Sequence, residues 1–316
     1  MELRKDYILD RWVIISEHRG VRPREFRKEP VKPKEGEVCF FCPGNEKLTP
    51  PEIYRTGGED WKIRVFPNKF AAVEEEGNPG IKTENTYFSF AAPYGKHEVV
   101  VEAREHDRQL WDLSDEELTE VIRVYQLRIE ALSKHPHAKY VVLFKNHGKE
   151  GGTSLVHTHT QILSFNKVPE LVKDEVETSK RFGKCPFCDI IKIEKDSDRR
   201  CFENEHFVAF CPYASRFNFE VWIFPKKHIT TLLGVDDSMR PALAEILGKV
   251  IGKLKELNSS FNFTLHYAPE GEDLHMHFEI LPRLATWAGF ELGTNVTINS
   301  VPPETAAKFY RGELEH

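Results

Sequence analysis

Residues 151 to 163 read Gly-Gly-Thr-Ser-Leu-Val-His-Thr-His-Thr-Gln-Ile-Leu. Strand side chains alternate, so His157, His159 and Gln161 fall on one face beyond a glycine-rich turn. Val156, Ile162 and Leu163 flank them, and polar groups in a buried setting are costly without partners. The partners such groups accept are a metal and a phosphoryl group. A neutral imidazole in a glycine-lined pocket is a nucleophile toward phosphorus, and His159 is assigned that role. Backbone N–H groups of Gly151, Gly152, Thr153 and Ser154, with the Ser154 hydroxyl, could hold nucleotide phosphates. Arg19 and Arg22, in a basic loop, could add charge-assisted bonds. The chain has three glutamines, Gln109, Gln126 and Gln161, so Gln161 is poor filler.

The cysteines supply ligands for the metal. Cys39-Phe-Phe-Cys42 and Cys185-Pro-Phe-Cys188 are two tight pairs, beside Cys201 and Cys211. Without a secretory context, each pair reads as a metal knuckle or a redox motif. Cys39, Cys42, His106 and His157 form the Cys₂His₂ set that Zn²⁺ takes in a closed, structural site. That set leaves His159 free for chemistry. Cys185, Cys188, His228 and His275 repeat it in the second half. The bland readings are a surface His106 and a core His159 paired to a carbonyl. A zinc-ribbon adaptor would explain the cysteines but leave His159, Gln161 and the glycine turn without work.

The elements that must position these groups also repeat. Strands are expected over 7–16, 61–66, 97–103 and 140–144, with a capped helix from Ser114 ending before His135-Pro136. After a charged bridge, strands over 207–210 and 219–224, a helix through Leu243 to Leu254, and a strand over 261–266 follow. Glu98 and His106 lie eight residues apart, as do Glu220 and His228, and each half ends in an H-x-H strand. An internal duplication accounts for this. The expected fold is α+β, with two tandem domains over 1–167 and 184–316, each an antiparallel sheet with flanking helices. The net charge of -6 gives no general attraction to nucleic acid. No apolar run approaches the ~20 residues of a membrane span, and the N-terminus lacks a signal peptide's apolar core, so a cytoplasmic location is expected. Few Gln and Met beside many Lys and Glu is a thermophile-like bias.

His157-Thr-His159-Thr-Gln161, behind Ser154 and the glycines, resembles the H-x-H-x-Q signature of galactose-1-phosphate uridylyltransferase, the transferase branch of the histidine triad superfamily. The resemblance spans almost the whole chain. It implies ping-pong transfer: His159 takes UMP from UDP-glucose, releases glucose 1-phosphate, and galactose 1-phosphate then accepts the nucleotidyl group. Hydrolase branches carry a third histidine where this chain has Gln161; a sugar-phosphate leaving group needs no acid, so an amide donor suffices. The resemblance further implies phosphate contacts from Arg19 and Arg22, a nucleoside contact from Asn68, and substrate contacts from Asn146 and Ser154. It implies a sugar contact from Glu291, reaching the other subunit's site in a homodimer. Lys69 and Ala285 depart from residues that many members carry near the ribose and the sugar phosphate. Some members hold a second metal with a glutamate and three histidines, here Glu175, His266, His275 and His277, where iron is the alternative to zinc. The intact second cysteine pair and Gly289-Phe290-Glu291-x-Gly293-Thr294 are instead similar to a plant ADP-glucose phosphorylase branch, in which inorganic phosphate is the acceptor.

Overall fold

The first ten residues or so set a turn where a single strand is expected. In the computed structural model, which describes residues 1–17 and 38–314, the chain starts with a hairpin of β1 (Glu2–Lys5) and β2 (Trp12–Ile15). The Asp6 carboxylate accepts the Ile8 and Leu9 amides at 3.1 and 3.0 Å and Arg11 Nε at 2.9 Å. That local bonding bends the backbone away from a continuous strand. Arg19 and Arg22 lie outside the described residues.

β3 (Tyr54–Arg55) and β4 (Arg64–Pro67) come next, then a small arm of β5 (Lys82–Thr83) and β6 (Ser89–Phe90), then β7 (His97–Val101). α1 (Asp115–Ser133) starts as expected: Ser114 accepts from Glu117 N, and the Glu117 carboxylate accepts from Ser114 N. It is followed by β8 (Tyr140–His147), β9 (His159–Phe165) and α2 (Glu170–Lys180). α3 (Pro186–Glu194) opens on the second cysteine pair, with Cys185 as its N-cap and Pro186 in its first turn. β10 (Arg200–Glu203), β11 (Phe207–Phe210), β12 (Val221–Pro225) and α4 (Arg240–Glu256) continue the chain. β13 (Phe261–His266), β14 (His277–Pro282), α5 (Gly289–Thr294), β15 (Thr297–Asn299) and α6 (Pro303–Arg311) complete it.

The expectation of one sheet per half is corrected. Ten strands form one sheet in the order β10-β11-β12-β14-β13-β8-β9-β7-β4-β3. β8 would be the edge strand of the first half and β13 that of the second, and an unpaired edge is a template for pairing. They pair antiparallel with each other, Asn262 opposite Asn146 and Phe263 opposite Lys145. Read outward from that seam, β8-β9-β7-β4 and β13-β14-β12-β11 follow the same order. The core merges as well. α1 and α4 lie side by side, and their apolar stripes, Leu118 to Leu132 and Leu243 to Leu254, join one cluster with the inner face of the sheet. β15 runs parallel to β2, fastening the C-terminal segment to the N-terminal hairpin.

The second histidine of each H-x-H pair, not the first, begins its strand: β9 starts at His159 and β14 at His277. β7 ends at Val101, opposite His159, so no ladder partner remains for His157. Among the described residues no helix is long and apolar enough to cross a membrane.

Candidate active site and metal centres

Geometry fixes the tautomer of His159. Its Nδ1 lies 2.9 Å from the carbonyl oxygen of His157, an acceptor only, so Nδ1 carries the proton and donates. Nε2 is left with the lone pair. Burial pushes the imidazole down to about 4, and the nearby Lys145 ammonium adds to the shift, so the ring is neutral at pH 7. The Phe41 ring stands edge-on to it at 5.3 Å. Phe41 sits between the first two cysteines and packs with Trp61, Phe66, Val99 and Val101. A cleft of about 740 Å³, lined by Asn146, Thr153, Ser154 and His159 among others, opens at this point.

The glycine turn is fixed by close approach. A Cβ on Gly151 would come within 2.2 Å of the His147 carbonyl oxygen, and Gly152 has φ +82°. The Gly151, Gly152 and Thr153 amides close the turn on the carbonyls of Gly148, Lys149 and Gly148. Among these four residues Ser154 alone keeps both its amide and its hydroxyl without a hydrogen bond to any described residue.

The first metal set is assembled. Cys39, Cys42, His106 and His157 offer ligand atoms that all lie within 4.8 Å of one another. Sγ of Cys42 is 3.3 Å from His106 Nδ1 and 3.6 Å from His157 Nδ1, and Sγ of Cys39 is 3.6 Å from His157 Nδ1. A tetrahedron with zinc-like bonds has S···N edges of about 3.5 Å, so the donors fit. His157 Nε2 faces the Ala103 carbonyl at 2.8 Å, which puts its proton on Nε2 and the lone pair of Nδ1 toward the sulfurs. Burial and the Cys39 thiol push Cys42 up to about 11. A cation would reverse that preference.

Under His159 lies a buried charge pair. Lys145 Nζ contacts the Glu102 carboxylate and donates to Thr158 Oγ1 and the His159 carbonyl, each at 2.9 Å. Tyr125, Thr158 and Thr160 also donate to Glu102. Burial works against the carboxylate, but Lys145 and these donors outweigh it and hold its pKa below the usual range. Lys145 is 1% exposed and Glu102 3%. Lys145→Met leaves a buried carboxylate unpaired and is expected to cost about 3–5 kcal/mol. A urea midpoint measures it, and Lys145→Met with Glu102→Gln is expected to recover most of the loss; no recovery would mean the pair is not the source.

In the second half, Cys185, Cys188, His228 and His275 also gather within 4.8 Å. Cys188 Sγ is 3.4 Å from His228 Nδ1 and 3.5 Å from His275 Nδ1. The Pro225 carbonyl at 2.9 Å orients His275, and Asp273 at 2.7 Å orients His228. The Glu175, His266, His275 and His277 set is therefore corrected: His275 is turned to the sulfurs, and Glu279 joins Glu175, His266 and His277 instead. Burial opposes charge on His266, yet Glu175, 3.0 Å from its Nδ1, and Glu279 outweigh it, raising its pKa. Arg216 Nη2 lies 2.9 Å from Glu279. His277 is fully buried among Phe187, Trp222, Phe224 and His266, where His159 borders a cleft.

Other expected site residues are spread differently. Asn68 Nδ2 donates to Gln161 Oε1 at 3.1 Å. Asn146 Oδ1 accepts from Asn262 Nδ2 at 2.8 Å, and the same amide group donates to the Gly151 carbonyl at 2.7 Å. The Glu291 carboxylate caps α5 by accepting from Ala288 N at 2.9 Å, and no contact among the described residues joins it to His159. Sequence reasoning missed Asn262, although the alternation of Asn262, Thr264 and His266 along a strand marks a polar face. It also missed His97, which touches Gln161 across the sheet.

Comparison with known proteins gives a family model described as "Galactose-1-phosphate uridyl transferase, N-terminal domain", matching residues 1–169. A second, described as a domain of unknown function (DUF4921), matches residues 88–312. An ADP-glucose phosphorylase of Arabidopsis thaliana is 33% identical, covering 98% of this chain and 92% of that protein. A galactose-1-phosphate uridylyltransferase of Thermotoga maritima is 30% identical, with 98% of each covered. The crystal structure of an ADP-glucose phosphorylase from Arabidopsis thaliana with bound ADP-glucose superposes with TM-score 0.84 at 30% identity, covering 100% of this chain and 99% of that one.

Proposed function

Since the chain belongs to the galactose-1-phosphate uridylyltransferase family, we propose that it transfers UMP from UDP-glucose to galactose 1-phosphate by a ping-pong route through His159. The observation that carries this reading is the His159 ring, held by Nδ1–H on the His157 carbonyl, with the Nε2 lone pair left without a partner among the described residues. Nε2 forms a bond to the α-phosphorus as the bond to the bridging oxygen breaks. That oxygen leaves with its electron pair as glucose 1-phosphate, an anion stable at neutral pH that takes no proton. A phosphate oxygen of galactose 1-phosphate then attacks the same phosphorus and expels the imidazole, giving UDP-galactose. Gln161 donates to the phosphoryl oxygens as charge builds on them. Ser154, Asn68, Asn146, Arg19 and Arg22 contact the nucleotide and phosphates, and Glu291 contacts the sugar of a dimer partner's site. Gly152 and Thr153 serve substrate binding by shaping the turn that presents Ser154, because their amides are spent within it.

A second reading has support of its own. The gathered Cys185, Cys188, His228 and His275 set, with Gly289 to Thr294, favours an ADP-glucose phosphorylase in which inorganic phosphate is the acceptor. The chemistry at His159 is the same; the base and the acceptor differ. Incubating the enzyme with UDP-glucose or ADP-glucose, each with galactose 1-phosphate or phosphate, decides between them. Turnover of UDP-glucose with galactose 1-phosphate is expected; efficient turnover only of ADP-glucose with phosphate would overturn the first reading and establish the second.

Zinc is the metal we assign to both Cys₂His₂ sets, where it supplies cross-linking and no step of the reaction. The Glu175–His266 pair is assigned as an ion pair rather than an iron site. The matched strand order on the two sides of the β8–β13 seam supports an origin by duplication, with histidine-triad-like units over 1–167 and 184–316.

A further inference from the structure

The amide of Gln161 can act as a phosphoryl donor only if its NH₂ end faces the cleft, and a planar amide can flip. Two backbone donors in the loop after β4 remove that freedom. Ala72 N–H donates to His97 Nδ1 at 3.2 Å. A backbone amide cannot accept, so Nδ1 holds a lone pair, and the neutral ring carries its proton on Nε2. Phe70 N–H donates to the tip of Asn68 at 2.9 Å, which makes that atom Oδ1 and its neighbour the Nδ2 donor. His97 Nε2 and Asn68 Nδ2 then converge on one atom of Gln161, at 2.8 and 3.1 Å. Two donors require an acceptor between them, so that atom is Oε1. Its two lone pairs are taken, and Gln161 Nε2 keeps no partner among the described residues. His97 is 7% exposed, so its ring is largely shut off from water.

From this we infer that His97 is a positioning residue for the transfer reaction, which fixes Gln161 with its NH₂ toward the phosphoryl group. The inference rests on the proposed role of Gln161. His97 touches no substrate; it acts through the Gln161 oxygen. The neutral Nε2–H form of His97 does what a hydroxyl or an ammonium would not do here: it accepts from Ala72 and donates to Gln161 in one rigid plane.

The test is a double-mutant cycle on the rate at which the enzyme takes label from a nucleotide sugar labelled in its α-phosphate. His97→Phe keeps an aromatic ring and removes both polar atoms. It is expected to slow label uptake by about 10- to 100-fold, in the rate of the chemical step rather than in the half-saturating concentration. In a Gln161→Ala background the same change is expected to have no further effect. His97→Gln, which can both accept and donate, is expected to restore much of the rate. Losses that multiply in the double variant would overturn the inference, because His97 would then act independently of Gln161. A second measurement does not need turnover: nitrogen NMR of the imidazoles at neutral pH, with His97→Gln assigning the signal. A pyridine-like Nδ1 with a protonated Nε2 is expected for His97; the opposite tautomer overturns the inference. Wild-type enzyme that takes no label from UDP-glucose or ADP-glucose counts against the proposed function, and the tautomer then still decides the placement of His97.

Discussion

His159→Ala is expected to lower nucleotidyl transfer by about 10⁵-fold, the scale on which loss of a covalent nucleophile is felt. Among the described residues no neighbour can take its place. Gln161 is an amide, and its oxygen already accepts two hydrogen bonds. His157 has Nδ1 turned to the sulfurs and Nε2 bound to the Ala103 carbonyl. His147 lines the same cleft, but its ring is packed on Trp111 at 4.3 Å and on Phe261 at 4.8 Å. The variant is also expected to fold, because the position borders a cleft and alanine leaves no unpaired charge behind. Wild-type protein given a nucleotide sugar labelled at the α-phosphate should retain label that survives base and is released by acid, as a phosphorus–nitrogen bond is. The variant should retain none. Full activity in His159→Gly would remove covalent catalysis through this residue altogether.

The residues that could be found in the sequence are those whose chemistry is written in type and spacing together. Two C-x-x-C pairs followed by histidines point to ligand sets that the fold does gather, and H-x-H-x-Q behind a glycine turn is the pattern on which the phosphoryl site is proposed. Helix α1 was legible from Ser114 and Glu117 because capping is local. The single ten-stranded sheet was not, because β8 and β13 each read as an ordinary buried strand. Nothing local to Tyr140–His147 says that its free edge will meet Phe261–His266. Lys145 and Glu102 were illegible for a related reason: a charge in a strand pattern reads as solvent-facing until its partner is known. His97 looks like the first residue of a strand, and its role arises from an amide 25 residues away and a side chain 64 residues away. The same limit applies to the third acidic and imidazole cluster. His275 had two competing sets of neighbours in the sequence, and only the Pro225 carbonyl, 2.9 Å from its Nε2, turns its other nitrogen to the sulfurs.

The two cysteine-histidine sets are expected to fail differently, although their donors match. Removing metal from a structural Cys₂His₂ site forfeits binding free energy on the order of 10 kcal/mol, so a strong chelator should lower the thermal midpoint of the whole protein. Acid should act in the same direction, because protons compete with the metal for thiols whose affinity for a proton the protein raises, to about 11 for Cys42 and about 12 for Cys185. Activity should separate the sites. The first set fixes His157, and the His157 carbonyl fixes the proton, and hence the lone pair, of His159. Cys42→Ser is therefore expected to lower transfer per folded molecule by about 100-fold, the cost of a misplacement near 1 Å. In the second set, the His275 carbonyl orients His277 at 3.0 Å in the same way, but that ring is sealed in the interior. Cys188→Ser should lower the thermal midpoint and leave the folded fraction near wild-type activity. Metal analysis should give about two zinc per chain for the wild type and about one for each variant. If the two serine variants lost equal activity per folded molecule, the route from metal to His157 carbonyl to His159 would be wrong. The first set would then be scaffold and nothing more.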